Sequence, residues 1–505
     1  MGIWIEVIQS ILTPGVLLYL LFGVLIGSFL GSLPGLTATM GIAILTPITF
    51  WFAPAKGFAM LIGVWNSAIW AGGISAILVN TPGTPASIAT TFDGFTMTNN
   101  GKAKIALQIN TVFSVFGGIF GTLVLMVAAF PLAKFAIKFG PAEYFMVGLF
   151  GLSMMISVSG NSILKGAVLG FLGLLVATIG LDPMVAAKRF TFGNINLLLG
   201  VSFIPVMIGM FGVGEILYQV SKSKSMNFIE KNDEDDDKTN ITEKLKLGDE
   251  SLTIKDCAKL TPISLFCSLI SAIVGAIPAA GGDIASIICW GQAKRLSKHP
   301  EEFGKGSKEG LTASCVGNNG VLGGALTTML TLGIPGDAAT AILIGSLMMY
   351  GMQPGPRMFV EDKSFVITIM ILMIFANLLI LIYGLTTSKI FIKLLKVKKP
   401  FIWVTVLVLC MVGSYALNNS MFDVVVMLLA GGLGFFFKRM DYAPGPFVLG
   451  LLLGKIIESN LRRALSLTQG SYNFLYTHPI VIVLEILVLI AIIGPFIKKK
   501  QKNQI

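Results

Sequence analysis

The chain has 505 residues, of which 54% are hydrophobic and only 12% charged, with a mean hydropathy of +0.82. Soluble domains carry about a quarter charged residues, so an ordinary soluble protein is excluded. The net charge of +11 does not point to nucleic acid, because Lys and Arg stand in short clusters between apolar runs: Lys294/Arg295/Lys298, Lys393–Lys399, Lys438/Arg439 and Lys498–Lys500. Membrane proteins hold cytoplasmic loops in this way.

In chain order, Met1–Ser10 contains no Lys or Arg and the first basic residue is Lys56. A cleavable signal needs a positive leading region, so the first apolar stretch is expected to remain as a membrane helix. Runs long enough to cross a ~30 Å hydrocarbon core recur from Val16–Leu33 through Ile105–Leu132, Ile163–Ile179 and Ile367–Leu385 to Ile480–Ile493. The expected fold is an all-α polytopic protein embedded in the lipid bilayer, with roughly 11–13 passes, several interrupted by Pro and Gly.

Ser221–Lys259 breaks the pattern: it holds ten of the 26 acidic residues, with Asp233–Asp237 at its centre. Such a composition predicts a solvated linker between a first membrane repeat, 1–220, and a second, 260–505. The halves echo one another. Gly31-Ser-Leu-Pro-Gly-Leu-Thr-Ala-Thr39 matches Gly275–Ser286, Asn80-Thr-Pro-Gly-Thr-Pro-Ala-Ser87 matches Gly333–Thr340, and Gly160–Ile163 matches Asn418–Met421, at offsets of 244, 253 and 258. Equivalent loops differ in charge: Ile48–Gly57 carries only Lys56, whereas Gln292–Lys308 carries Lys294, Arg295, Lys298, Lys305 and Lys308. The positive-inside rule then predicts inverted-topology repeats with the C-terminus in the cytoplasm.

Pro and Gly break membrane helices where the freed backbone is satisfied by protein or lines a wet cavity. A helix restarting in mid-membrane offers unpaired N–H groups at its positive end, which can hold a carboxylate. Candidate substrate-binding residues are therefore Pro34, Gly35, Thr37, Thr39, Asn80, Pro82, Gly83, Thr84 and Ser87, with Asn318, Asn319, Pro335, Gly336 and Thr340 in the second half. Packing of small residues between helices is the competing account of each Ser and Thr. Asp283 and Asp337 stand at membrane depth, where an ionisable residue costs at least ~2.5–3.5 kcal/mol. Together with Ser286 they form a candidate site for a coupling cation, Na+ or H+. The competing role for an Asp there is to cap a half-helix.

Enzymes fare poorly. Gly94–Lys102 lacks Walker A spacing, the only histidines are His299 and His478, and Gly212-Val-Gly-Glu215 has Glu where an intramembrane aspartyl protease needs Asp. The five scattered cysteines form no C-x-x-C pair, so no disulfide framework, metal site or cofactor is indicated.

These motifs closely resemble the large membrane subunit of the tripartite tricarboxylate transporters of bacteria. The resemblance rests on Gly31–Gly41, Asn80–Gly101, Lys165–Pro183, Arg295–Gly310, Asn318–Gly324, Leu330–Pro356, Asn418–Asp423 and Glu458–Leu465. It implies a permease of the bacterial cytoplasmic (inner) membrane that works with a small membrane subunit and an extracytoplasmic solute-binding protein. It also implies ion-driven uptake of a small carboxylate anion. A membrane scaffold or receptor that merely docks a binding protein is the alternative, and four helix breaks would be wasteful in it. The chain departs from the family at Pro278-Ala-Ala-Gly-Gly-Asp283, Ser314-Cys-Val-Gly317 and Arg357.

Overall fold

The computed structural model describes residues 2–158, 163–229, 248–278, 280–387 and 399–502. The acidic run Asp233–Asp237 and most of the Gly160–Ile163 motif lie outside them. Ten helices make the described first half: α1 (Gly2–Ile11), α2 (Pro14–Ser32), α3 (Ala38–Thr49), α4 (Pro54–Val79), α5 (Ile88–Asn99), α6 (Ala103–Ala136), α7 (Pro141–Val158), α8 (Ile163–Ala177), α9 (Phe203–Met207) and α10 (Gly214–Ile229). A π-helical turn, Ile208–Val213, joins the last two, and a two-stranded hairpin, Gly180–Leu181 with Lys188–Arg189, follows α8. The second half contains α11 (Ile254–Ala276), α12 (Gly282–Leu296), α13 (Lys308–Leu332), α14 (Ala338–Met349), α15 (Met358–Glu361), α16 (Lys363–Thr386), α17 (Lys399–Asn418), α18 (Met421–Arg439), α19 (Gly445–Leu467), α20 (Phe474–Thr477) and α21 (Pro479–Lys502).

Among the described residues, eight helical segments are long and apolar enough to cross a membrane. Shorter apolar helices, α3, α8 and α14 among them, account for the larger number expected from apolar runs. Of these, α3 and α14 are half-helices that restart after a break. The linker is also less uniform than its composition predicts. Its first residues continue α10, and its last begin α11, where Thr253 and Asp256 form a capping box.

The internal duplication reaches individual packing contacts. Helix α2 ends at Ser32 and α11 at Ala276, each followed by an extended residue, Leu33 (ψ 117°) and Ile277 (ψ 119°). Helices α4 and α13 each end in a left-handed residue, Asn80 (φ 52°) and Gly333 (φ 71°), 253 positions apart. Gly31 of α2 lies against the Ala68 carbonyl of α4, and Gly275 of α11 lies against the Val321 carbonyl of α13. Small residues let these backbones touch. One contact exchanges its partners: Gly27 faces Ser67 in the first half, while Ser271 faces Gly320 in the second.

Direction is reversed between the copies. Helix α4 begins beside Thr49, whose carbonyl accepts a hydrogen bond from the Tyr350 hydroxyl. Helix α13 begins at Lys308, near Glu250 and Lys102. These are opposite ends of the molecule, because α6 starts just after Lys102 and, at ~1.5 Å per residue, runs about 50 Å. Near its far end Phe130 meets Phe359 at 5.4 Å. The α2–α3 hairpin therefore enters and leaves at the Thr49 end, and α11–α12 does so at the Lys308 end.

Candidate functional site

The four breaks meet in the interior. Gly83 packs on the Gly31 carbonyl, Gly336 stands where an added Cβ would be 3.2 Å from the Gly275 carbonyl oxygen, and a Cβ on Gly282 would be 2.8 Å from the Ala86 Cβ. On the other flank, α3 and α14 are linked by Thr46 Oγ1 and Ser346 Oγ at 3.0 Å.

The breaks fall into two kinds. In the first, Thr37 Oγ1 accepts the Met40 N–H at 3.2 Å and so caps α3. In the fourth, Asp337 Oδ1 accepts the Thr340 N–H at 2.7 Å, and Thr340 Oγ1 accepts the Asp337 N–H at 2.8 Å. Both half-helices thus have their positive ends answered by their own side chains. Helix α5, led in by a 3-10 turn over Pro85–Ser87, and helix α12 carry no side-chain cap at Thr84, Ser87 or Gly281. Their N-termini are the two that come together where Ala86 meets Gly282.

Asn318 lies at this meeting point. Its Nδ2 donates to Ser87 Oγ at 3.3 Å and to the Ile69 carbonyl at 3.5 Å, and Ser87 Oγ is 3.1 Å from Thr84 Oγ1. Its backbone carbonyl oxygen is 3.2 Å from where a Cβ on Gly282 would sit. The side-chain oxygens of Asn318 and Asn319 are both buried without a hydrogen-bond partner. A buried acceptor left unpaired costs about 1–3 kcal/mol.

Asp283 and Asp337 lie on either side of Gly281: a Cβ there would be 2.9 Å from Asp283 Oδ1 and 3.9 Å from the Asp337 Cβ. Both are half-buried, and Ser286 Oγ donates to the Asp283 carbonyl at 3.0 Å. The repeat register places Thr39 opposite Asp283 and Thr84 opposite Asp337, so the acids belong to one half only.

The other expected site residues lie at or beside the breaks. Asn80 is an exposed C-cap and Pro82 is half-buried beyond it. Pro34, Thr39 and Gly35 are half-buried at the first break, where Gly35 (φ 95°) faces the Gln219 amide. Pro335 is buried beside Gly336. Gly83 was expected to present its N–H to a substrate, yet that N–H donates to the Gly72 carbonyl at 3.2 Å. An added Cβ at Gly83 would stand 2.9 Å from the Gly72 Cα, and one at Gly336 2.7 Å from the Ala325 Cβ. Both glycines serve backbone approach between helices.

Composition alone hid other charged groups. Asp93, fully buried, accepts from Trp290 Nε1 (2.7 Å) and from the N–H groups of Gly304, Gly306 and Ser307 (2.8, 3.0 and 2.8 Å). It fixes α5 to the loop before α13. The Asp-Gly pair inside the polar run after Ser87 was the available signal. Asp182, Arg189, Glu458 and Arg462 form a network beside the hairpin, with Arg189–Glu458 and Arg462–Asp182 both at 2.7 Å.

A family model described as the tripartite tricarboxylate transporter TctA family matches residues 17–449. The chain belongs to that family. It is 35% identical over 472 residues to a 52.8 kDa Agrobacterium vitis protein from the TAR-I region 3′ of ttuC′, covering 94% of this chain and 91% of that one. A second Agrobacterium vitis protein, from the corresponding TAR-II region, is 31% identical over 209 residues, which are 41% of this chain and 86% of that protein. No solved structure matches the chain. The TctA family match covers all four breaks and both acids, so the central site lies within the part of the chain that defines membership.

Proposed function

We propose that this permease carries a small carboxylate anion into the cell across the bacterial cytoplasmic membrane, by symport with Na+ or H+. A small membrane subunit and an extracytoplasmic solute-binding protein would act with it. The observation that carries this reading is the meeting of two uncapped half-helix N-termini at Ala86 and Gly282, beside Asn318. Their macrodipoles favour an anion, and the Ser87 hydroxyl, held by Asn318, supplies a polar contact at small desolvation cost. The other second-half break is already occupied by its own carboxylate, Asp337. A substrate carboxylate would be repelled there, and Asp283 in the first turn of α12 would repel it at the neighbouring break as well, whereas a cation between Asp337 and Asp283 would be attracted and would offset both charges. Anion and cation sites then lie side by side, and each would strengthen the other.

Asn318 commits both Nδ2 hydrogens to Ser87 and Ile69 and leaves its side-chain oxygen as an unpaired acceptor. That acceptor suits an organic acid bearing a hydroxyl group as well as carboxylates. Proteoliposomes holding the permease and the small subunit test the reading. With binding protein supplied, uptake of labelled di- and tricarboxylates should require an inward cation gradient. Uptake that ignores both Na+ and pH gradients would overturn the coupling. No uptake of any carboxylate, from protein that is inserted and binds its partner, would favour the scaffold.

A further inference from the structure

Glu215 and Lys438 form an ion pair inside the bundle that the transport site does not use. The Glu215 side chain is 8% exposed and that of Lys438 22%. Lys438 is the penultimate residue of α18, in the basic cluster at its end, yet the pair is largely withdrawn from solvent, and buried charges are costly unless they are paired. Around this pair the packing is close. Gly209 lies on the Met427 carbonyl of α18, and a Cβ on Gly434 would be 2.8 Å from the Met210 carbonyl oxygen. The intervening Ile208–Val213 segment is π-helical, a local distortion found often at functional sites. It packs against α3, the half-helix that follows the first break.

The pair extends to that break. Glu215 Oε1 accepts from Gln219 Nε2 at 2.7 Å. The Gln219 amide in turn covers Gly35: a Cβ on Gly35 would be 2.8 Å from Nε2 and 2.9 Å from Cδ. Gly35 has φ 95°, a conformation that a side chain would oppose. We infer that Glu215, Lys438 and Gln219 are positioning residues: the ion pair fixes the Gln219 amide over Gly35 and holds the first helix break in place. A carboxylate tied to Lys438 cannot swing away. Without Lys438 it would be a lone buried charge and would seek water, taking the amide with it. For its consequence in transport, this inference rests on the reading that the first break belongs to the translocation path.

The test reads the position of the break directly. In the full-length chain freed of its five native cysteines, Thr39→Cys places a reporter in the first turn of α3, and its rate of reaction with a small permeant maleimide is measured in membranes. Gln219→Leu leaves the ion pair intact, and it should raise that rate on the order of fivefold, since only the cover over Gly35 is lost. Lys438→Met should do the same. The reversed pair, Glu215→Lys with Lys438→Glu, should return the rate to within about twofold of the parent. A parental rate in Gln219→Leu would overturn the inference, and so would a reversed pair as reactive as Lys438→Met. If the reversed pair fails to insert, Gln219→Leu decides alone. Faster labelling in those variants, with unchanged uptake when the same substitutions are made in a chain that keeps Thr39, would remove the first break from the transport path but leave the positioning role standing.

Discussion

Gly282 stands against Ala86, so close that a Cβ on Gly282 would lie 2.8 Å from the Ala86 Cβ. This single approach joins a half-helix of the first repeat to one of the second, and it sets how near their N-termini come. Gly282→Ala should therefore reduce uptake on the order of tenfold, because overpacking costs about 1–3 kcal/mol. Moving the methyl instead of adding it, in Ala86→Gly with Gly282→Ala, should recover most of the activity. Initial uptake rates at equal membrane abundance check this. A double variant as poor as the single one would mean that the contact does not set the approach.

Asp337 both caps α14 and supplies negative charge, and the two roles separate on substitution. Asn caps nearly as well as Asp, so Asp337→Asn should insert normally. If the charge binds a cation, the cation concentration for half-maximal uptake should rise by about tenfold or more, with a smaller change in substrate affinity. Asp283→Asn should act in the same direction without any capping contribution. Uptake measured against Na+ and against pH distinguishes these outcomes. Unchanged cation dependence in both variants would leave the acids as structural groups.

The duplicated breaks were readable because Pro, Gly and their neighbours recur in order, and the helix ends at Ser32, Val79, Ala276 and Leu332 follow the same spacing. Loop charge also foretold the reversal of direction that places Lys102 beside Lys308. What stayed hidden depended on three-dimensional partners. Nothing in the sequence around Gly83 says that its N–H is taken by Gly72, eleven positions earlier. Thr84 and Asp337 occupy equivalent positions, but only the carboxylate folds back to cap its helix. Asp93 reads as one polar residue among several until the loop at Gly304–Ser307 wraps around it. Glu215 looked like a failed protease motif, because Lys438 lies 223 residues away.

Sidedness follows from the basic clusters and the reversed repeats. His299, in the loop before α13, and Trp51, between α3 and α4, lie at opposite ends of the molecule and are exposed. In a background without native cysteines, Trp51→Cys should react with an impermeant thiol reagent in intact cells. His299→Cys should react only after the cells are opened, since its end carries the Lys and Arg clusters. Labelling of both in intact cells would contradict the orientation, and labelling of His299→Cys alone would reverse it.

Glu250 ties the end of the acidic linker to both repeats: it is 3.0 Å from Lys308 Nζ and 3.4 Å from Lys102 Nζ, and two residues on, the Leu252 N–H donates to Gln108 Oε1 at 2.7 Å. The hydrogen bond from Lys308 is the main cause that holds the Glu250 carboxyl below its ordinary value of 4.5. A carboxyl depressed in the folded state stabilises that state above its ordinary value, and the contribution disappears as pH falls through the lowered value. The clamp should thus be complete at neutral pH and released only in acid. Lys102 is exposed and Lys308 partly so, and each pair contributes about 0.2–1 kcal/mol and less in high salt. Hydrogen exchange of residues 248–253, corrected for intrinsic rates, should be slow at pH 7 and faster in Glu250→Gln at the same pH. The difference between the two proteins should vanish below the lowered value, where Glu250 is neutral as well. This also divides the linker. Deleting residues 230–247 spares the clamp, and uptake should stay within about threefold of the parent if that stretch is a solvated tether. Extending the deletion through Leu252 removes the attachment and should speed exchange in the Lys308 end of α13. Complete loss of transport on the shorter deletion, with normal insertion, would show that the acidic stretch itself docks a partner or gates the site.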